Sequence, residues 1–201
     1  MALGMMIDGQ WTTEWTERDR SGQFNRMPTQ FRDRVTANGS SGFKAEADRY
    51  HLYVALACPW AHRTVMMRRL KGLEAAIGLS VVDPILSEQG WQFSENPGAI
   101  PDRVNHAQYL QEIYRRARPN YTGRVTVPVL WDKETQTIVN NESREIIRML
   151  DTEFGAVAQT DLDLFPAALQ DRIEQTIDAI YMPINNGVYR SGFATSQAAY
   201  D

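Results

Sequence analysis

Cysteine is nearly absent from this 201-residue chain, which has one, Cys58. A single cysteine excludes an intramolecular disulfide and a zinc site built from several thiolates, and we predict no metal. No apolar run approaches the ~20 residues that cross a bilayer, and the first eight residues lack the features of a secretory signal. A basic excess is also missing, since 21 Lys and Arg stand against 25 Asp and Glu. We therefore expect a cytoplasmic protein that binds neither nucleic acid nor membrane.

The residues around Cys58 predict a reactive thiol. Residues 50–56 are largely apolar, as in a strand buried on both faces, and Pro59 suits the first turn of a helix that ends near Gly72. Unpaired N–H groups and the helix dipole at such a junction lower the pKa of a thiol, and Arg63 adds positive potential. The sequence predicts a nucleophilic thiolate, the alternative being a small buried hydrophobic residue.

The missing second cysteine limits this chemistry. A dithiol redox centre would have its second cysteine at position 61, which is Ala61. A self-contained dithiol cycle is therefore excluded. Any redox reaction of Cys58 must pass through a mixed disulfide with an external thiol.

A β-hairpin is predicted from residues 125–131 and 137–139, which have strand composition and are joined by a short polar turn. Pro128 lacks a backbone donor and marks an edge, a bulge or a special turn. The sequence leaves open whether the Val127–Pro128 bond is cis. If it is, the Val127 backbone turns outward and can pair with a peptide-like ligand.

A helix is predicted to open at residues 140–143, directly after the hairpin. Its first-turn N–H groups and the Ser143 hydroxyl suit a ligand carboxylate, and Glu142 suits a ligand ammonium. The alternative is simple capping by Asn141 or Ser143. Together with Cys58, an amino-acid-like end and a thiol end describe one ligand, a γ-glutamyl thiol.

Several stretches of the chain resemble the glutathionyl-hydroquinone reductases, also called xi-class glutathione transferases. They are residues 49–63 (RYHLYVALACPWAHR), 71–73 (KGL), 90–93 (GWQF), 125–132 (VTVPVLWD), 138–143 (IVNNES) and 184–189 (INNGVY). The CPWA segment together with the NNES segment is specific for this family. Either segment alone indicates only a transferase with a thioredoxin fold.

The resemblance implies an α/β thioredoxin-like N-terminal domain followed by an all-α glutathione-transferase C-terminal domain, incomplete here. We predict an extended arm over residues 1–48, the thioredoxin-like domain over 49–158 and the start of the helical domain over 159–201. Aromatic residues are expected to anchor the arm, namely Trp11, Trp15, Phe24 and Phe31. The resemblance also implies a homodimer if the helical domain is complete.

The activity implied by the resemblance is reductive removal of glutathione from a glutathionyl-hydroquinone. Cys58 would attack the glutathione sulfur, release the hydroquinone and form a mixed disulfide, which a second glutathione would reduce. Tyr189 would lie near the aromatic substrate and assist proton transfer. The residues implied to hold glutathione, the co-substrate, are Trp91, Arg124, Val127, Glu142 and Ser143.

Several of these residues also have a purely structural role as an alternative. Trp91 could anchor a loop, Arg124 could be an exposed charge at a strand edge, and Tyr189 could be a packing aromatic. For the histidines His51 and His62 we favour structural roles over roles as bases.

Two other functions fit the same residues. A monothiol deglutathionylase of general disulfides would use Cys58 and the same glutathione site, and only the aromatic pocket separates it from the reductase. An inactive, truncated transferase-fold interaction module is the other, because the family's pattern continues through more helices after Asp201. The sequence does not identify the quinone, and it leaves open whether the thiol is glutathione or another low-molecular-weight thiol.

Overall fold

Strands dominate the first two thirds of the chain and helices the last third. The structure is a computed structural model that describes residues 4–14 and 21–201, so the predicted anchor Trp15 lies outside the described residues. The strands are β1 (Met5–Ile7), β2 (Gln10–Thr12), β3 (Val35–Thr36), β4 (Phe43–Lys44), β5 (Tyr50–Val54), β6 (Ile77–Val81), β7 (Gly123–Arg124), β8 (Val129–Asp132) and β9 (Thr137–Asn140). The helices are α1 (Pro59–Leu70), α2 (Leu110–Ala117), α3 (Ser143–Thr152), α4 (Gln170–Ile180), α5 (Gly187–Gly192) and α6 (Gln197–Tyr200), with a 3-10 turn over Ala167–Leu169 and a π-helical turn over Tyr181–Asn185.

The chain divides into two compact units. The first unit comprises Met1–Trp15 and Thr29–Asp163, and the second comprises Thr16–Pro28 and Leu164–Asp201. The domain boundaries proposed at residues 48 and 158 stay predictions. None of the helices in the described part of the chain is both long and apolar enough to cross a membrane.

A four-stranded sheet in the order β6-β5-β8-β9 forms the centre of the first unit. Strand β5 is buried along its whole length, pairs in parallel with β6 and antiparallel with β8, and β8 and β9 form the predicted hairpin. From β5 to α3 the chain runs strand, helix, strand, helix, hairpin, helix, apart from the short β7, which belongs to a different sheet. This order confirms the thioredoxin-like succession predicted from the sequence.

Helices α1 and α3 pack against each other beside this sheet. Helix α1 begins at Pro59, as predicted, and Gly72 follows its end with a positive φ of 62°. The N-cap of α3 is Glu142, whose carboxylate accepts a hydrogen bond from the backbone N–H of Arg144 at 3.2 Å. The proposed capping by Asn141 or Ser143 is thus wrong, since the cap comes from the residue between them.

Two buried ion pairs hold the first unit together. The Arg49 guanidinium meets the wholly buried Asp132 carboxylate at the end of β8 in a two-pronged arrangement, with N···O distances of 2.9 and 2.8 Å. Lys71, at the end of α1, lies 3.1 Å from the Asp151 carboxylate of α3. The first pair joins the residue before β5 to the end of β8, and the second joins the end of α1 to α3.

The second unit is built from short helices whose residues are half-buried or exposed, except Asn186. Its aromatic side chains group around Phe193, which lies 5.1 Å from Phe24 and 6.3 Å from Tyr189 between ring centroids. The Arg26 guanidinium lies 5.3 Å from the centre of the Tyr189 ring. Large apolar side chains of this unit remain exposed, Ile184 and Val188 among them.

Candidate active site

Cys58 lies between β5 and α1, at the N-cap position of the helix. Its backbone is extended, with φ −94° and ψ 115°, and its carbonyl accepts the first helical hydrogen bond from the N–H of His62. The half-buried thiol points toward the segment just before β8, where its sulfur lies 3.9 Å from the carbonyl oxygen of Val127. The sulfur therefore lies between a helix N-terminus and the irregular segment that precedes β8.

The Val127–Pro128 peptide bond is cis, which answers the question that the sequence leaves open. Val127 stands just before β8, its side chain is buried in the core, and its carbonyl faces Cys58. This predicted glutathione contact therefore borders the thiol directly.

Arg63, in the second turn of α1, joins this helix to the first turn of α3. Its Nε and Nη2 atoms donate to the Ser143 hydroxyl at 3.0 and 2.6 Å, and Nη2 lies 3.8 Å from the Glu142 carboxylate. The guanidinium stacks over the Trp60 ring at 5.0 Å. Since Cys58 and Trp60 begin the helix that carries Arg63, this link brings the thiol, Glu142 and Ser143 into one region.

The Glu142 carboxylate is partly exposed and only loosely held. One oxygen accepts from the Arg144 N–H at 3.2 Å, and the other accepts from the Thr29 hydroxyl at 3.4 Å. Its side chain keeps 21% of its surface exposed. A negative group so placed can accept an ammonium from a ligand while it caps α3.

Trp91 and Arg124 lie in two segments beside the sheet. Trp91 packs partly buried against the core, and its carbonyl accepts from the N–H of Leu110 at the start of α2. Arg124 lies in β7, where it pairs with Met5 of β1, and its Nε atom is buried. Arg124 thus stands on an edge strand, as its structural alternative has it, but is half-buried, and its contact with glutathione stays a prediction.

Known proteins match this chain over the residues that form the site. The glutathione S-transferase N-terminal domain matches residues 57–153, which run from beside Cys58 through α3. The glutathionyl-hydroquinone reductase YqjG of Escherichia coli (strain K12) is 51% identical over 207 residues, covering 99% of this chain and 63% of that protein. The xi-class transferase of Natrialba magadii superposes with a TM-score of 0.92 at 54% identity, covering 100% of this chain and 60% of that one.

Nearly the whole chain is therefore similar to xi-class glutathione transferases and glutathionyl-hydroquinone reductases. The glutathione-bound structure of YqjG superposes with a TM-score of 0.86 at 50% identity, over 98% of this chain and 61% of that one. The predicted fold class is confirmed, with a thioredoxin-like N-terminal domain followed by a helical segment. The chain spans less than two thirds of the length of these xi-class relatives.

The remaining candidate residues lie in different parts of the structure. Tyr189 lies in α5 of the second unit, and its role toward the aromatic substrate stays a prediction. His62 is exposed on α1, whereas His51 is buried, its Nε2 atom lying 2.8 Å from the Ser80 hydroxyl. Burial lowers the pKa of His51 to about 4, which keeps it neutral and supports the structural role predicted for it.

Two residues that the structure brings to this region were not assigned these contacts by sequence reasoning. Arg63 was expected only to add positive potential near the thiol, yet it binds Ser143. Trp11 was expected only to anchor an arm, yet its indole N–H donates to the carbonyl of Glu88, three residues before Trp91. Both contacts join segments more than 70 residues apart, so local patterns carry no signal for them.

Proposed function

We propose that this chain binds glutathione beside Cys58 and removes glutathione from glutathionyl-hydroquinones. The observation that carries the proposal is the position of the Cys58 sulfur, which lies at the N-terminus of α1 and 3.9 Å from the Val127 carbonyl. The similarity of this chain to YqjG, a glutathionyl-hydroquinone reductase, supports the proposed reaction. The glutathione-bound structure of that relative supports glutathione as the ligand.

Charge and hydrogen bonding indicate which residues bind each part of glutathione. The first-turn N–H groups of α3 and the Ser143 hydroxyl suit the α-carboxylate of the γ-glutamyl group, and Glu142 suits its ammonium. The Val127 backbone next to the thiol suits the peptide part of glutathione. Trp91 and Arg124 are proposed as further contacts.

The reaction proceeds in two thiol exchanges. The Cys58 thiolate attacks the sulfur of the glutathionyl group, a sulfur–sulfur bond forms and the bond from sulfur to the ring carbon breaks. The electron pair stays on the ring carbon, which takes up a proton to give the hydroquinone, and the family resemblance implies that Tyr189 assists this proton transfer. A second glutathione thiolate attacks the mixed disulfide, frees the Cys58 thiolate and leaves as oxidised glutathione.

Intact-protein mass measured after mixing with a glutathionyl-hydroquinone tests the first exchange, with the released hydroquinone assayed in parallel. We expect one glutathione adduct together with free hydroquinone, and neither with Cys58→Ser. An adduct that forms from oxidised glutathione but not from the hydroquinone conjugate would instead identify a general deglutathionylase. No adduct from either compound would overturn the enzymatic proposal and favour an interaction module.

The homodimer and the cytoplasmic location stay predictions from the sequence. The quinone substrate is not specified by the residues named above. A panel of glutathione conjugates with different ring substituents, assayed by hydroquinone release, measures that preference directly.

A further inference from the structure

The first strands of the chain reach both segments that carry Trp91 and Arg124. The hairpin of β1 and β2, which we call the N-terminal hairpin (residues 5–12), lies within the first unit. The Trp11 indole N–H donates to the carbonyl of Glu88 at 2.9 Å. The Trp11 ring also lies against Gly90, the residue directly before Trp91.

Two glycines make room for the Trp11 ring. A Cβ atom added to Gly90 would lie 2.8 Å from the ring, and one added to Gly4 would lie 2.1 Å from it. Gly90 also has a φ of 84°, which side chains other than glycine rarely adopt. The indole is thus seated closely against the backbone at both positions, which fixes where residue 90 can lie.

The turn that Trp11 covers is itself tightly bonded. The backbone N–H groups of Ser87 and Gly90 each donate to the other's carbonyl at 3.0 Å. The Gln111 amide donates to the carbonyl of Gln89 at 3.0 Å, which ties the same turn to α2. Trp91 therefore leaves a turn that is held from two sides, by Trp11 and by α2.

The opposite edge of the N-terminal hairpin holds the strand of Arg124. Met5 pairs with Arg124 and Met6 with Gly123 in an antiparallel ladder. Beyond the ladder, the N–H of Asp8 donates to the Thr122 hydroxyl at 2.8 Å. One hairpin therefore fixes the backbone at both candidate glutathione contacts.

We propose that Trp11 is a positioning residue for glutathione, which acts by holding the turn of Trp91 in its binding conformation. This inference rests on the proposed function, in which Trp91 contacts glutathione. A loop that is ordered before the ligand arrives loses less conformational entropy on binding, so the affinity rises. The contacts of Trp11 with this turn are to the Glu88 carbonyl and to Gly90.

The test measures the dissociation constant of glutathione by calorimetry on the reduced full chain. Trp11→Phe keeps an aromatic ring between the two glycines and removes the N–H that bonds Glu88. We expect glutathione to bind about three- to tenfold more weakly, the effect of one lost hydrogen bond. The rate at which iodoacetamide alkylates Cys58 should not change, because the thiol is not altered.

Two further variants separate positioning from general destabilisation. Trp131→Phe makes the same chemical change in the buried part of β8, and it should lower the melting temperature without weakening glutathione binding. In a Trp91→Ala background, Trp11→Phe should have no further effect on the dissociation constant, since Trp11 acts through Trp91.

The outcomes distinguish this inference from the proposed function. If the unaltered chain does not bind glutathione, the proposed function is overturned and the role of Trp11 with it. If the unaltered chain binds and Trp11→Phe binds equally well, only the role of Trp11 is overturned. An equal loss of affinity with Trp91 present and absent would also contradict it.

Discussion

Arg63 donates two hydrogen bonds to one acceptor, the Ser143 hydroxyl, from Nε at 3.0 Å and from Nη2 at 2.6 Å. The two residues are 80 positions apart in the sequence, and they join the second turn of α1 to the first residue of α3, helices that pack together. Arg63 therefore holds the proposed carboxylate site of α3 at a fixed place relative to Cys58. Arg63 therefore positions α3 in addition to contributing a positive charge.

Arg63→Lys separates the two contributions, because lysine keeps the positive charge and cannot form the forked pair of bonds. We expect the KM for glutathione to rise about tenfold, the effect of one to two lost hydrogen bonds to a charged group. The alkylation rate of Cys58 by iodoacetamide should stay close to that of the unaltered chain. Equal KM values for the two proteins would show that Arg63 contributes charge alone.

Glu142 is predicted to bind the glutathione ammonium while it caps α3. Glu142→Gln keeps an acceptor for the Arg144 N–H and removes the negative charge. We expect the melting temperature to stay nearly constant and glutathione binding to weaken by about 1–3 kcal/mol, measured by calorimetry. Glu142→Ala should also lose the cap, at about 0.5–2 kcal/mol of stability.

A ligand lacking the ammonium provides the control for Glu142. The des-amino analogue of glutathione should bind the unaltered chain and Glu142→Gln with the same affinity. If Glu142→Gln weakens both ligands equally, the carboxylate acts on the site through α3 and does not bind the ammonium.

Local sequence features predict the elements that carry this site. Pro59 and Gly72 mark the two ends of α1, and the order of strands and helices from β5 to α3 is the one expected. These features depend on residues that are neighbours along the chain, such as a proline in a first turn or a glycine after a last one. Patterns of this kind are readable in a single sequence.

The contacts that complete the site depend on packing between distant segments. Arg63 meets Ser143 only because α1 and α3 pack together, and Trp11 meets Glu88 across 77 residues only because a hairpin covers that turn. No periodicity or capping rule encodes such a meeting. The cis bond before Pro128 belongs to the same class, since proline permits it and the surrounding fold selects it.

Breaking the buried ion pair between Arg49 and Asp132 should strongly destabilise the fold. Burial by itself raises the pKa of Asp132, but hydrogen bonds from Arg49 and Thr135 hold it below its usual value, so the carboxylate is charged at neutral pH. Asp132→Asn leaves a buried guanidinium without its main partner, and we expect a loss of about 3 kcal/mol in the free energy of unfolding, measured with urea.

Glu134 offers the matched control for that prediction. It also pairs with Arg49, at 2.9 Å, but 64% of its side chain is exposed. Glu134→Gln should cost less than about 1 kcal/mol, as exposed ion pairs do. Equal losses for the two variants would contradict the view that burial decides the contribution of each partner to Arg49.

His51 should make the fold sensitive to acid. Burial lowers its pKa to about 4, Asp102 opposes this shift, and Lys133 and Arg68 add to it. Above pH 6.5 the residue is neutral in both folded and unfolded chains. Between pH 6.5 and pH 4 the unfolded chain takes up a proton that the folded chain does not, so stability falls as the pH is lowered.

The loss due to His51 should reach on the order of 3 kcal/mol at pH 4, because the folded-state pKa lies about 2.5 below the ordinary value of 6.5. Urea unfolding of the unaltered chain and of His51→Gln gives the free energy of unfolding at each pH from 7 to 4. The difference between the two slopes of this free energy against pH measures the contribution of His51. His62→Gln, which removes an exposed histidine of α1, should keep the slope of the unaltered chain. If His51→Gln follows that same slope, acid acts on this fold through its carboxylates, and the burial of His51 does not govern its stability in this range.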